Sequence, residues 1–213
     1  MEQISIILFL CIAVPMVPVL FVLPDKRSKL FLGYMLIGVC ICLIAGQVNT
    51  ILLSLFDGDR LYVTTNITPI SEEILKALPV LYFAILFSDD RNTLVSIAFA
   101  LGIGFAILES SVILINSLKT VTVSWAFARG MGAALMHGIS TSFVGMGMSY
   151  VRKRRKFFFC GTFALLITAI IYHGIFNTLV QSDYKFLAFI MPSLVCCVVL
   201  VAQFKQSRVP HSS

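Results

Sequence analysis

Charge is what this sequence has least of. Only 12% of its 213 residues are Asp, Glu, Lys or Arg, against about 25% in soluble proteins, which excludes an ordinary soluble domain. Long polar connectors are missing too. The breaks between apolar runs are as short as Pro24-Asp-Lys-Arg-Ser-Lys29, Asp57-Gly-Asp-Arg60, Ser88-Asp-Asp-Arg-Asn92 and Gln181-Ser-Asp-Tyr-Lys185, leaving no room for a separate catalytic domain. No internal repeat is visible, either inverted or parallel, and this weighs against a two-half transporter. The six cysteines (11, 40, 42, 160, 196, 197) have neither metal-ligand spacing nor a loop setting, so a disulfide scaffold and a thiolate zinc site are both disfavoured. Met1-Glu2-Gln3 lacks a basic leader and no small-x-small cleavage site follows, so the first apolar run is expected to stay in the mature chain. Gly102-x-Gly104 has no strand before it and reads as close helix packing rather than a nucleotide loop.

What is present is hydrophobicity: 59% of the chain. Apolar runs near the length of about 20 residues needed to span a bilayer fall at 4–23, 31–56, 69–87, 93–117, 125–150, 157–180 and 186–204. The expected fold is all-α: a polytopic membrane protein of about seven transmembrane helices enclosing a polar intramembrane cavity. It is read as one membrane-embedded domain over 1–213, with a motif-bearing core at 69–178 and a short cytoplasmic tail at 205–213. The net charge of +6 does not point to nucleic acid, because the basic residues punctuate the apolar runs instead of forming a face. Alternate connectors, with the tail, carry 11 Lys and Arg against 3 on the opposite side. That asymmetry places the N-terminus outside and the C-terminus in the cytoplasm. Arg152-Lys-Arg-Arg-Lys156 is chiefly a topology signal, with anionic lipid as a second contact. Glycines 102, 104, 130, 132, 138, 145 and 147 cluster in the fourth and fifth runs, where small residues let backbones approach.

Seven ionisable side chains fall inside the spans: Glu72, Glu73, Lys76, Glu109, Arg129, His137 and His173. At about 2.5–3.5 kcal/mol per charge on insertion scales, charging five of them would cost roughly 12–18 kcal/mol, comparable to the stability of a whole domain. Accident is a poor explanation for such a set. With the orientation above, four helices carry these groups, and Asn177, into the outer half of the membrane. Glu73 and Lys76 are three apart; Glu72 and Lys76, Phe105 and Glu109, and His173 and Asn177 are each four apart, so each pair shares a helix face. Neutralising a buried carboxylate removes an expensive charge, so its loss is not expected by itself to lower stability.

These residues resemble a known family. Ser71-Glu-Glu-Ile-Leu-Lys76 looks like the Glu-Glu-x-x-Lys motif of the PrsW intramembrane proteases, and Gly104-Phe-Ala-Ile-Leu-Glu109 like their Phe-x-x-x-Glu motif. The stretch from Arg129 to His137, and then His173-Gly-Ile-Phe-Asn177, are similar to the later motifs in the same order. The family belongs with the CAAX prenyl endopeptidases and bacteriocin-processing membrane proteins. Those relatives usually place His where this chain has Glu109 and Arg where it has Lys76, which favours PrsW over the prenyl-processing branch. The resemblance implies the first, extracytoplasmic-side cut of a membrane-anchored single-pass protein, such as an anti-sigma factor, in a bacterial cell membrane.

Peptide hydrolysis needs an activated water, a group that stabilises the oxyanion and a proton donor for the leaving amine. In a metal version, His137, His173 and Glu109 hold zinc while Glu72 or Glu73 is the general base. In a metal-free version, Glu72 and Glu109 activate the water and His173 with Asn177 forms the oxyanion hole. Lys76 and Arg129 balance charge in either scheme. Asn49 and Gln47 read as hydrogen-bonding links between helices. Two other functions use the same residues: a proton- or ion-coupled carrier with a carboxylate–histidine relay, and an inactive protease-like scaffold that binds single-pass proteins.

Overall fold

A computed structural model describes residues 2–119, 121–153 and 155–207; His211 and the end of the expected tail at 205–213 lie outside them. Among the described residues the chain is helical, with no strand. Seven long helices carry it: α1 (Glu2–Val22), α2 (Lys26–Leu55), α3 (Thr68–Leu86), α4 (Arg91–Asn116), α5 (Val123–Met148), α6 (Phe163–Val180) and α7 (Lys185–Ser207). They follow the seven apolar runs in order.

Two connectors differ from expectation. Residues 26–30 are the first turns of α2 rather than a loop, because Asp25 caps them by accepting a hydrogen bond from the Ser28 amide at 2.8 Å and a polar turn can extend a helix beyond the apolar span. The Asp57–Thr68 connector is mostly helix as well. Asp59 caps a short turn at Arg60–Tyr62 that runs through a π-helical segment, Val63–Ile67, directly into α3. Asp90 starts α4 in the same way as Asp25 starts α2, accepting from the Thr93 amide at 2.8 Å. These capping bonds hold both carboxyls below the usual carboxylate range.

Among the described residues, four helical spans are long and apolar enough to cross a membrane by length and composition: Gln3–Val22, Lys26–Leu55, Arg91–Asn116 and Phe158–Val180. α3 fails that description because Glu72, Glu73 and Lys76 all fall within its 19 residues. α5 is diluted by glycine, serine, Arg129 and His137. The polar groups thus dilute α3 and α5, while α4 and α6 carry Glu109 and His173 on helices that remain apolar enough to span.

α4 is the central post, packed between α2 and α5. Glycine makes that closeness possible. A Cβ on Gly38 would run into the Leu101 carbonyl, one on Gly104 into the Met35 carbonyl and one on Gly102 into the His137 carbonyl. Gly130 departs from the packing expectation, since nothing lies within 4 Å of a Cβ placed there. Beside these contacts, Tyr34, Val80, Phe83, Leu94, Leu101, Val144 and Met148 form an apolar core near the 24–30 and 88–92 connectors. A smaller cluster, with Ala106, Met136 and Phe176, lies toward the other end.

Candidate active site

The first turns of α3 aim Glu72, Glu73 and Lys76 inward, where they meet His137 from α5 and His173 from α6. Glu73, Lys76, His137 and His173 are all fully buried. Glu73 Oε1 is the hub: Lys76 Nζ lies 2.6 Å away, His173 Nδ1 2.9 Å and Ser140 Oγ 3.2 Å. Lys76 Nζ also reaches His137 Nδ1 at 2.9 Å and sits 4.8 Å from the centroid of the Phe105 ring. His137 Nε2 in turn lies 3.1 Å from Glu109 Oε2, which Arg129 Nη2 approaches to 3.4 Å. Two of the four spaced pairs act together: Glu73 pairs with Lys76, while Phe105 and Glu109 both meet His137, whose ring centroid is 4.9 Å from that of Phe105. Glu72 and Lys76, and His173 and Asn177, turn to different partners.

Donor and acceptor rules assign the protons. An ammonium has only donors, so His137 accepts at Nδ1 and donates from Nε2 to Glu109. His173 Nδ1 faces a carboxylate already engaged by Lys76, so it carries the proton and leaves a lone pair on Nε2. That atom has no hydrogen-bond partner, and neither has Glu72 Oε2, which lies 3.8 Å from it. Two buried acceptors facing each other without a donor make a place suited to a cation or to the protons of a water. The other oxygen of Glu72 is held by Asn49 Nδ2 at 2.9 Å.

A cavity of about 740 Å³ opens against this cluster. Glu72, Glu109, Arg129 and Asn177 line it, and the remaining four expected site residues stand behind them. Glu109 is the most accessible carboxylate of the three, its side chain 21% exposed. Asn177 does not join the cluster: its Nδ2 donates to the backbone carbonyl of Thr64 at 2.9 Å and ties α6 to the π-helical segment. Asn49, Ser71 and Ser140 enter the network without having been singled out as site residues. An Asn on an otherwise apolar helix was the available signal for the first, whereas Ser71 and Ser140 carried none.

A metal has a donor set here. Glu72, His137 and His173 each offer a ligand atom, all within 4.8 Å of one another. Glu72 thus stands where the sequence reading had Glu109. The residues fit a cation on two further grounds. Three carboxylates (Glu72, Glu73, Glu109) face two fixed cations (Lys76, Arg129), and the unpartnered lone pairs on Glu72 and His173 converge. Glu73 beneath His173 completes the carboxylate–histidine pairing that orients metal ligands. His137 would join by exchanging one of its present partners, Lys76 or Glu109.

A family model described as PrsW family intramembrane metalloprotease matches residues 26–203. The chain belongs to that family. It is a multi-pass membrane protein and an intramembrane protease, a hydrolase of peptide bonds. No curated protein and no solved structure matches it.

Proposed function

We propose that this protease hydrolyses a peptide bond of a single-pass, membrane-anchored protein near the extracytoplasmic boundary of its span, the site-1 type of cut made on an anti-sigma factor or similar regulator. The observation that carries the site assignment is the facing pair of unpartnered acceptors, Glu72 Oε2 and His173 Nε2, with Glu72 lining the cavity and His173 buried behind it. Zinc held by Glu72, His173 and His137 would supply Lewis acidity and a water acidic enough to ionise near neutral pH. Glu73 keeps the proton on His173 Nδ1 and so keeps the Nε2 lone pair directed at the metal position beside Glu72 Oε2. Glu109, accessible from the cavity and held by Arg129, is the general base that takes a proton from the water and returns it to the leaving amine. Arg129 stands beside it to limit the charge that develops. Asn177 serves the fold of the cavity mouth in this reading, since its amide is committed to Thr64.

The basic asymmetry of the connectors supports an N-out, C-in topology, which puts the 57–68 segment and the cavity mouth on the outer side. Water then reaches the carboxylates without crossing the bilayer, and only a few substrate residues need to unwind where water can satisfy their freed backbone groups. Reporter fusions at residue 90 and at the C-terminus should both report cytoplasm. Mass spectrometry of the fragment released from a single-pass substrate should place the cut within about one helical turn, roughly 5 Å, of the outer boundary. A cut on the cytoplasmic side would overturn the access route.

A further inference from the structure

Glu72 can present a free oxygen to the site only if its other oxygen is occupied. In this helix the default occupant is Lys76, one turn away on the same face. Lys76 is turned elsewhere, to Glu73 and His137, and Glu72 Oε1 is taken instead by a residue of another helix. Asn49, on α2, donates to it from Nδ2 at 2.9 Å. An amide can face a carboxylate either way round, with its oxygen or its nitrogen, and only the nitrogen attracts. Ser71 supports that orientation from behind: its Oγ lies 3.1 Å from Asn49 Oδ1 and 3.0 Å from the Thr68 carbonyl, and the amide oxygen can take its one proton. Both residues border Glu72, Ser71 by sequence and Asn49 across the α2–α3 contact.

We propose that Asn49, oriented by Ser71, is a positioning residue for Glu72: it occupies Oε1, denies Glu72 to Lys76, and leaves Oε2 directed at His173 Nε2. This rests on the reading of Glu72 and His173 as metal ligands. Outer partners of this kind change metal affinity about 10–100-fold without touching the ion, which distinguishes positioning from a plain link between helices. A link would matter equally with and without metal.

The test uses the purified full-length chain in detergent and zinc alone as the probe, with affinity measured by competition against a chromophoric chelator. Melting is followed separately in EDTA. Asn49→Leu, close in volume and without hydrogen bonds, should weaken zinc binding about 10–100-fold while its melting temperature in EDTA stays near that of the parent chain. Ser71→Ala should weaken binding by less, and the double variant should be no weaker than Asn49→Leu, because Ser71 acts only through Asn49. Gln47→Leu, which changes another cavity-lining amide of α2, should bind zinc like the parent. If Asn49→Leu fails to fold, Ser71→Ala carries the test. Unchanged affinity in Asn49→Leu and Ser71→Ala overturns the proposal alone, as does a loss matched by an equal fall in EDTA stability. A parent chain that takes up no zinc overturns the metal reading and the proposal with it.

Discussion

Toward the 24–30 and 88–92 connectors the bundle is dry and close-packed: Leu94, Leu101, Val80 and Phe83 fill it, and glycines 38 and 104 let α2 lie against α4. Toward the 57–68 segment the same helices part around a cavity and hold three carboxylates, two cations and two imidazoles. The first half is stabilised by burial and dispersion, which are non-directional and tolerate exchange of one apolar residue for another of similar volume. The second depends on a fixed set of hydrogen-bond directions in a medium of low dielectric, where a satisfied network is rigid and a broken one is costly. A close-packed apolar half can thus hold the polar half in register, and substitutions in the two halves should fail differently.

The largest effect belongs to the polar half. Glu72→Gln and His173→Ala should each lower kcat about 10³-fold or more. Glu72→Gln protein should still accumulate in the membrane, because Glu72 has no cationic partner to strand. A single-turnover cleavage assay beside an immunoblot checks both statements, and substantial activity in Glu72→Gln would break the assignment.

Glu73 is different, and here the sequence reading needs correcting. Its carboxylate is the hub for Lys76, His173 and Ser140, so Glu73→Gln leaves a buried ammonium unpaired. Breaking a buried pair costs about 3–5 kcal/mol, whereas removing both partners can be nearly neutral. Glu73→Gln and Lys76→Met should each accumulate poorly, and the double variant should recover while remaining inactive. Thermal unfolding of the three proteins would show that pattern, and additive losses would rule out a mutually dependent pair.

In the packed half the lever is volume. Gly38→Ala and Gly104→Ala each drive a methyl into a backbone carbonyl of the neighbouring helix and should cost about 1–3 kcal/mol or more. Gly46→Ala and Gly130→Ala meet open space and should stay within about 0.5 kcal/mol of the parent. A milder effect is expected at the cavity mouth. Asn177→Ala removes one hydrogen bond to Thr64, worth about 1 kcal/mol, and should speed hydrogen exchange over 63–67 more than elsewhere. The smallest effect is at the caps. Asp25 and Asp90 have lowered carboxyl pKa values in the folded chain, so their contribution is present above the unfolded-state pKa and is lost only as pH falls through the folded-state value. Melting temperatures of Asp90→Asn and parent should differ by a constant small amount from pH 5 to pH 8 and converge under stronger acid.

What could be read in advance follows the same division. The seven helices were legible because an apolar run of span length is a property of consecutive residues. The Glu73–Lys76 pairing and the shared approach of Phe105 and Glu109 to His137 were legible because helical spacing sets them. The partners of Glu72 were not, since Asn49 reaches it from another helix and the choice between Lys76 and Asn49 is made by tertiary packing. The same holds for Asn177, whose spacing from His173 suggested a shared role but whose amide turns to a backbone carbonyl that only the π-helical segment brings within reach. Glu72 takes the place expected of Glu109 in the ligand set because its unpartnered Oε2 faces His173 Nε2, whereas Glu109 is turned to His137 and Arg129.

The central claim, that Glu72, His173 and His137 hold a metal for hydrolysis, is tested most directly by elemental analysis of the purified, active chain beside His173→Ala. The account predicts close to one equivalent of zinc in the parent and its loss in His173→Ala, with the variant still folded. A fully active parent containing no stoichiometric metal would contradict it.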